Sequence, residues 1–380
     1  MPKTPPIPLM IRRIASVRIT VVCLFLLFVL TLWGTVAQMT QGLYGAQHRF
    51  FYSLGFLALG FIPFPGARLV LWVMFINLAC ATVTRFSRPQ FPRDLGLLVI
   101  HGGLLLYFVA AFATFHLTRE SNLHLLEGEG ANISSSYHDW EISFWTDDAE
   151  KRRVIALDTQ NIAQGQTVAI PQLSLALTIK TYYPNSQAYT MVQPGQPAGS
   201  ARNASGILSL TSVPWNKEPE KNIPGIIINL KQGSADLGDV LLYGGEDRAT
   251  KIERPEGPVH VQLRPMKSPM PFTLFLKDFK MEKHPNTEVA RSYQSLVEIK
   301  TQGLAREILI SMNKPLRYKD YTLYQASYSI DSLGREYSTL AVVKNAGRLL
   351  PYIASFVTFF GLAIHFLMMG VRGKKARAGA

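Results

Sequence analysis

The sequence predicts a membrane α + β protein, in which four transmembrane helices carry a large all-β, sandwich- or barrel-like extracytoplasmic domain between the third and fourth helices. Three observations lead there. The apolar residues bunch into a few long runs; lysines and arginines crowd alternate flanks of those runs; and the stretch before the last run breaks into short β-rich pieces separated by turn residues. The averages hide this division, since 48% of the 380 residues are hydrophobic and the mean hydropathy is only +0.11.

A helix that crosses a bilayer needs about 20 mostly apolar residues. Four segments qualify: 19–36 (ITVVCLFLLFVLTLWGTV), about 69–85 with Asn77 inside it, 95–117 (LGLLVIHGGLLLYFVAAFATFHL) and 349–369 (LLPYIASFVTFFGLAIHFLMM). The first run exceeds the roughly 7–15 apolar residues of a signal peptide, and no clear small-x-small cleavage site follows it. It is read as a retained span. Between the first two spans lies FFYSLGFLALGFIPFPG, too short to cross and broken by Pro63 and Pro65. An interfacial or re-entrant segment is expected there.

Orientation follows from the basic flanks. Lys3, Arg12, Arg13 and Arg18 precede the first span, Arg85, Arg88 and Arg93 separate the second from the third, and Arg372, Lys374, Lys375 and Arg377 follow the fourth. The loop after the first span offers only Arg49 and, at its far end, Arg68. Short-loop lysines and arginines stay on the cytoplasmic side. Both termini are thus expected in the cytoplasm of a bacterium, the spans in its inner membrane, and residues 118–348 outside. The domain plan is 1–117 for three helices, 118–348 for the β-rich region, and 349–380 for the last helix and its basic tail. The same placement explains the net charge of +13 without a nucleic-acid partner.

In the outer region, runs such as WEISFW, LSLALTIKTYY, GIIINL, VHVQL, FTLFLKDF and YTLYQASYSI recur between prolines, glycines and asparagines. Such spacing belongs to sandwiches and barrels. Gln193 to Lys221, rich in Pro, Gly, Ser and Asn, reads as a long loop. Trp140, Trp145 and Trp215 offer either a stacking surface or, as most aromatics of a β domain do, core.

Nothing here resembles a soluble enzyme. Phosphate-cradling glycine loops, zinc-type His-Glu spacings and serine elbows are missing, and no residue is assigned a catalytic role. The only cysteines, Cys23 and Cys80, lie in apolar runs, so the middle region cannot hold a disulfide or a cysteine metal site. It also lacks the C-x-x-C-H sequence that carries c-type haem, so the protein is not itself a cytochrome c.

The intramembrane histidines stand apart, because a polar group in hydrocarbon is costly and tends to be functional when it faces a bundle. His101 sits about six residues into the third span, roughly 9 Å deep. His365 lies near the end of the fourth, at a similar expected depth. A neutral imidazole is a good axial ligand for haem iron. Gly102 and Gly103 beside His101 leave room for a flat macrocycle or another helix. His101 is therefore either a haem ligand or a helix–helix hydrogen bonder, and His365 a further candidate ligand that can also reach headgroups. His116 lies about 22 Å further along the third span and about 60° around it, so it either extends a path between leaflets or contacts headgroups. His48, His124, His138, His260 and His284 read as surface or loop residues.

Three stretches then resemble the ResB (CcsB) family of system II cytochrome c biogenesis proteins. They are LLVIHGGLLL leading into ESNLHLLEGEG; SMNKPLRYKDYTLYQASYSID, with an Asn-x-Pro-Leu and a Tyr-Gln-x-Ser-Tyr pattern; and VVKNAGRLLPYIASFVTFFGLAIHF at the last span. The resemblance implies a CcsA (ResC)-type membrane partner with a tryptophan-rich haem-binding segment. Together the two would export haem b and join it, reduced, to the thiols of apocytochrome c, as a haem lyase in which neither chain acts alone. It assigns the intramembrane haem ligand to His101. The sequence departs from the family at Asn345-Ala346-Gly347, where Asn-Pro-Gly is usual. A competing expectation is a membrane-anchored chaperone that captures apocytochrome at a strand edge and never binds haem.

Overall fold

A computed structural model describes residues 8–87, 94–147, 153–191, 201–285, 287, 290–301 and 303–378. Lys3, Arg88 and Arg93 lie outside the described residues, as do the side chains of the tail from Arg372 onward. The chain divides into two compact units, one of Met1–Arg119, Lys319–Tyr321 and Lys344–Ala380, the other of Glu120–Tyr318 and Thr322–Val343.

The second unit is almost entirely strand. After β1 (Gly55–Ala58) and β2 (Ile62–Pro65) of the first unit, the chain runs through β3 (Thr118–Leu126), β4 (Gly130–Thr146), β5 (Val154–Asp158), β6 (Thr167–Ile170), β7 (Leu175–Tyr183), β8 (Ser186–Tyr189) and β9 (Ser209–Ser212). It continues through β10 (Gly225–Gln232), β11 (Ala235–Tyr243), β12 (Thr250–Ile252), β13 (Val259–Lys283), β14 (Ala290–Thr301), β15 (Leu304–Ser311), β16 (Leu316–Tyr318), β17 (Tyr321–Ile330) and β18 (Glu336–Asn345). A ten-stranded sheet is ordered β15-β14-β13-β4-β3-β18-β17-β16, with β12 on β13 and β5 on β4. A four-stranded sheet is ordered β11-β10-β7-β6, and β8 pairs with β9.

Side chains at every second position of a strand share a face. Ile226, Ile228 and Leu230 of β10 and Leu175, Leu177 and Ile179 of β7 thus turn together towards Ile142 and Phe144 of β4 and Val259, Val261 and Leu263 of β13. All are buried, and they form the core of a two-sheet sandwich. The runs VHVQL and FTLFLKDF, two strands on sequence grounds, are one 25-residue strand, β13. Its prolines sit where the pairing with β4 slips, between Pro265 and Lys267 and between Pro269 and Leu274. A bulge absorbs a residue that cannot donate to the ladder, so the prolines bend the strand without ending it. The expected loop from Gln193 carries strand β9, pinned by Asn203 accepting from the Ile207 N–H; residues 192–200 lie outside the described set.

The first unit holds α1 (Leu9–Ile14), α2 (Val17–Ala46), α3 (Ala67–Phe86), α4 (Leu95–Leu117) and α5 (Leu350–Ala378). Among the described residues, four segments are long and apolar enough to cross a membrane: Val17–Tyr52, Ala67–Phe86, Leu95–Leu117 and Leu350–Val371. The third begins and ends where the sequence places it. The first runs on through a π-helical turn at Gln47–Tyr52, because no proline interrupts the helix before Ser53 and a bend at Gly42 (φ 73°) takes up the excess. Asn77, the polar residue inside α3, is buried and fully used. It accepts from the Thr20 hydroxyl at 2.7 Å and donates to the carbonyls of Ile14 and Ser16, stitching the α1–α2 break to α3.

Helices α4 and α5 meet along a seam of small residues. Gly96 faces the backbone of His365, Ile100 faces Gly361, and Gly103 faces Thr358. Gly96, Gly103 and Ala110 are the buried residues of α4 and recur every seven positions, the repeat that keeps one stripe against a partner helix. Tyr107 and Ser355 hydrogen-bond through their hydroxyls at 2.5 Å further along the same seam.

A β-carbon on Gly103 would lie 2.8 Å from the Thr358 backbone nitrogen, whereas one on Gly102 would meet nothing within 4 Å. Gly103→Ala is therefore expected to destabilise the helix pair by about 1–3 kcal/mol through overpacking. Gly102→Ala is expected to be neutral or to stabilise by up to about 1 kcal/mol through helix propensity. Thermal unfolding in detergent measures both.

Candidate functional site

His101 lies on α4, half-buried, its ring in an edge-to-face arrangement with Phe86 of α3 at 5.5 Å between centroids. Its Nδ1 is 2.9 Å from the carbonyl oxygen of Leu97, one turn earlier. A carbonyl only accepts, so Nδ1 carries the proton in that bond. In the tautomer that this bond selects, the lone pair is on Nε2. That is the tautomer and tether that metal-ligating imidazoles use, with one nitrogen held by a backbone carbonyl and the other directed at the metal.

The neighbouring glycines separate into two roles. Gly103 belongs to the seam with α5, while Gly102 opens onto free space. Five residues, about 140° of turn, separate His101 from Gly96 on the seam, so the imidazole points away from α5. The site has what a flat macrocycle needs from this chain: a free imidazole nitrogen and an adjoining backbone stretch without side-chain cover.

His365 is placed differently from its expected level. It sits opposite Gly96, and the antiparallel pairing puts Phe360 rather than His365 level with His101. The offset of five residues corresponds to about 7.5 Å along the axis. The depths differ because the contacts of Gly96 with His365, Ile100 with Gly361 and Gly103 with Thr358 set the register. The structure does not bring His101 and His365 together. His116 is exposed near the end of α4, its ring 4.4 Å from Phe112 and 5.0 Å from Phe115 between centroids.

Of the remaining histidines, His48 lies between Tyr44 and Tyr52, and His260 stacks on Trp145 while bonding Asp147 at 2.9 Å. His124 of β3 has an exposed edge, yet its Nδ1 bonds the Thr339 hydroxyl at 2.9 Å. Desolvation of the ring, and then the Lys267 ammonium, holds its pKa below the ordinary imidazole value. Trp145 is buried and Trp140 packs on the sandwich core, so both are structural, whereas Trp215 is exposed.

Residues 238–335, from within β11 to the turn after β17, match the ResB-like family. A stretch of 105 residues is 31% identical to Protein NrfI of Wolinella succinogenes, covering 27% of this chain and 11% of that protein. The ResB-like segment contains Gln325, from the Tyr-Gln-x-Ser-Tyr pattern.

Gln325 closes a buried hydrogen-bond ring that sequence reading left unassigned. Its Oε1 accepts from the Ser295 hydroxyl at 2.7 Å, its Nε2 donates to the Ser338 hydroxyl at 3.1 Å, and the two serines bond each other at 2.8 Å. One amide thereby joins β14, β17 and β18. The only sign of this in the sequence is an amide among apolar neighbours in a strand, and its partners lie 30 and 13 residues away. Gln325→Ala leaves the two buried hydroxyls only each other as partners and is expected to cost about 1–3 kcal/mol. A lowered chemical-denaturation midpoint registers the loss, and an unchanged one contradicts the assignment.

Proposed function

From a chain with a ResB-like strand segment and four apolar helices, we propose a membrane subunit of a haem-export and cytochrome c synthase complex. In this reading the spans lie in the bacterial inner membrane with both termini in the cytoplasm, and the β-rich unit is extracytoplasmic. A CcsA-type protein is the partner, and reduced haem is delivered to apocytochrome c for thioether attachment. The observation that carries the reading is the Nδ1–H bond of His101 to Leu97, which leaves Nε2 free beside the uncovered Gly102.

His101 holds the haem iron as cargo, and the partner supplies the opposite ligand. The role of this chain is positional. Binding haem and apocytochrome in register replaces an encounter in solution with one between held groups, which lowers the barrier without acid–base residues from the protein. The β unit holds the apocytochrome or the partner's outer loops. His365 stands at another level, on the seam, and serves helix packing; His116 lies too far along α4 to share the same iron and marks the aromatic boundary of the span.

A second reading keeps the β unit and dispenses with haem. β15 ends the ten-stranded sheet and carries the exposed Leu309, which suits capture of an extended apocytochrome segment by strand addition.

The test is the haem that copurifies with this chain and its partner. His101→Ala is expected to lower occupancy on the order of tenfold or more, the scale of disrupted metal ligation. Gly102→Leu, which covers the open face, is expected to lower occupancy while leaving the thermal midpoint unchanged or slightly raised. A Soret band that neither substitution alters favours the haem-free chaperone.

A further inference from the structure

The segment between α2 and α3 folds as a two-stranded hairpin, β1–β2, whose properties suit neither water nor a protein surface. From Leu54 to Gly66 the sequence is LGFLALGFIPFPG, without one side chain that can hydrogen-bond. Phe56 and Phe64 turn inward onto Trp33 and Phe50, at centroid separations of 4.8–5.8 Å. The other face and the tip are open: Leu57 is 55% exposed, Leu59 74%, Phe61 73% and Ile62 43%.

The backbone at the hairpin edges is prepared for a dry environment. Phe56 pairs with Phe64 and Ala58 with Ile62, while Gly55 opposes Pro65 and Leu57 opposes Pro63. Proline has no N–H, so the two-bond pairs are those of Phe56 and Ala58, and the outward positions on β2 are the two prolines. The outer edge of β2 therefore has no donor to leave unsatisfied. On β1 the outward Leu57 carbonyl accepts from Arg49 Nη2 at 3.1 Å, and the Leu54 carbonyl accepts from the Gly66 N–H at 3.0 Å. Hydrocarbon penalises each unpaired backbone group, and this hairpin has removed several.

The tip is also strained. Leu59 takes φ +52°, a conformation that glycine or asparagine adopts more readily. Among the described residues, the two other non-glycine residues with positive φ, Ser174 and Lys319, are polar. A leucine held there, with its side chain outward, keeps an apolar group at the point of the hairpin.

We propose that hairpin β1–β2 is buried in the outer leaflet of the bilayer, with Leu57, Leu59, Phe61 and Ile62 among the acyl chains and Arg49 at the headgroup level. The inference rests on the membrane reading above. Chain connectivity argues for lipid, since the strands start three residues after the first apolar segment and end two before the next. Protein interfaces carry a polar rim and about one hydrogen bond per 100–200 Å², which these side chains cannot supply.

Single nitroxide labels at Leu59→Cys and Phe61→Cys test it, in the full chain with Cys23 and Cys80 replaced by Ala and reconstituted in liposomes. A label at Leu32→Cys in α2 reports the span itself, and one at Lys251→Cys the β unit. Collisions with lipid-soluble oxygen should exceed those with a water-soluble nickel chelate at 59 and 61, as at 32, and the order should reverse at 251. Nickel dominance at 59 and 61 with oxygen dominance at 32 overturns the hairpin proposal alone. Suppression of both quenchers at 59 and 61 overturns it in favour of a protein contact. Nickel dominance at 32 overturns the membrane reading, and the proposal with it.

Discussion

One hydrogen bond inside a single helical turn underlies the functional account. By giving its Nδ1 proton to the Leu97 carbonyl, His101 satisfies one nitrogen within its own helix and leaves the other without a partner from that bond. On the proposed reading, a lone pair without a partner in hydrocarbon is expensive, so the bond that orients the ring would also create the demand for a ligand. The seam with α5 adds to this by occupying the face of Gly96, Gly103 and Ala110 and turning His101 towards α3.

The β-rich unit obeys a different constraint. Its strands bury alternating aliphatic residues in a sandwich core, and within its polar interior Gln325, Ser295 and Ser338 answer one another. A polar ring fully satisfied in this way fixes which strands meet, where aliphatic packing alone leaves register looser. Prolines that would break a regular ladder are placed at slips in the β13 pairing, so a single strand serves both the sandwich and the extended sheet.

Much of this was legible in the sequence because the relevant signals are local. Apolar length marked α4 to the residue, and the β-rich runs LSLALTIKTYY and GIIINL, set off by turn residues, marked β7 and β10 as strands. The linker between α2 and α3, short and broken by Pro63 and Pro65, was legible as something other than a span. The non-local features did not show. The Gly96–His365 register depends on which small residues of two helices meet, and no periodicity in one helix reveals that. The merging of two runs into β13 required knowing that prolines can sit in bulges. The ring around Gln325 joins residues from three strands, and the separate tasks of Gly102 and Gly103 follow only from where α5 lies.

Chemical rescue tests the central claim most directly. His101→Gly leaves a gap where the imidazole stood, and free imidazole added to the purified complex can fill it. The account predicts that the variant has a weakened Soret band and that imidazole restores both its intensity and its position. A variant whose haem spectrum matches the parent without imidazole would contradict it.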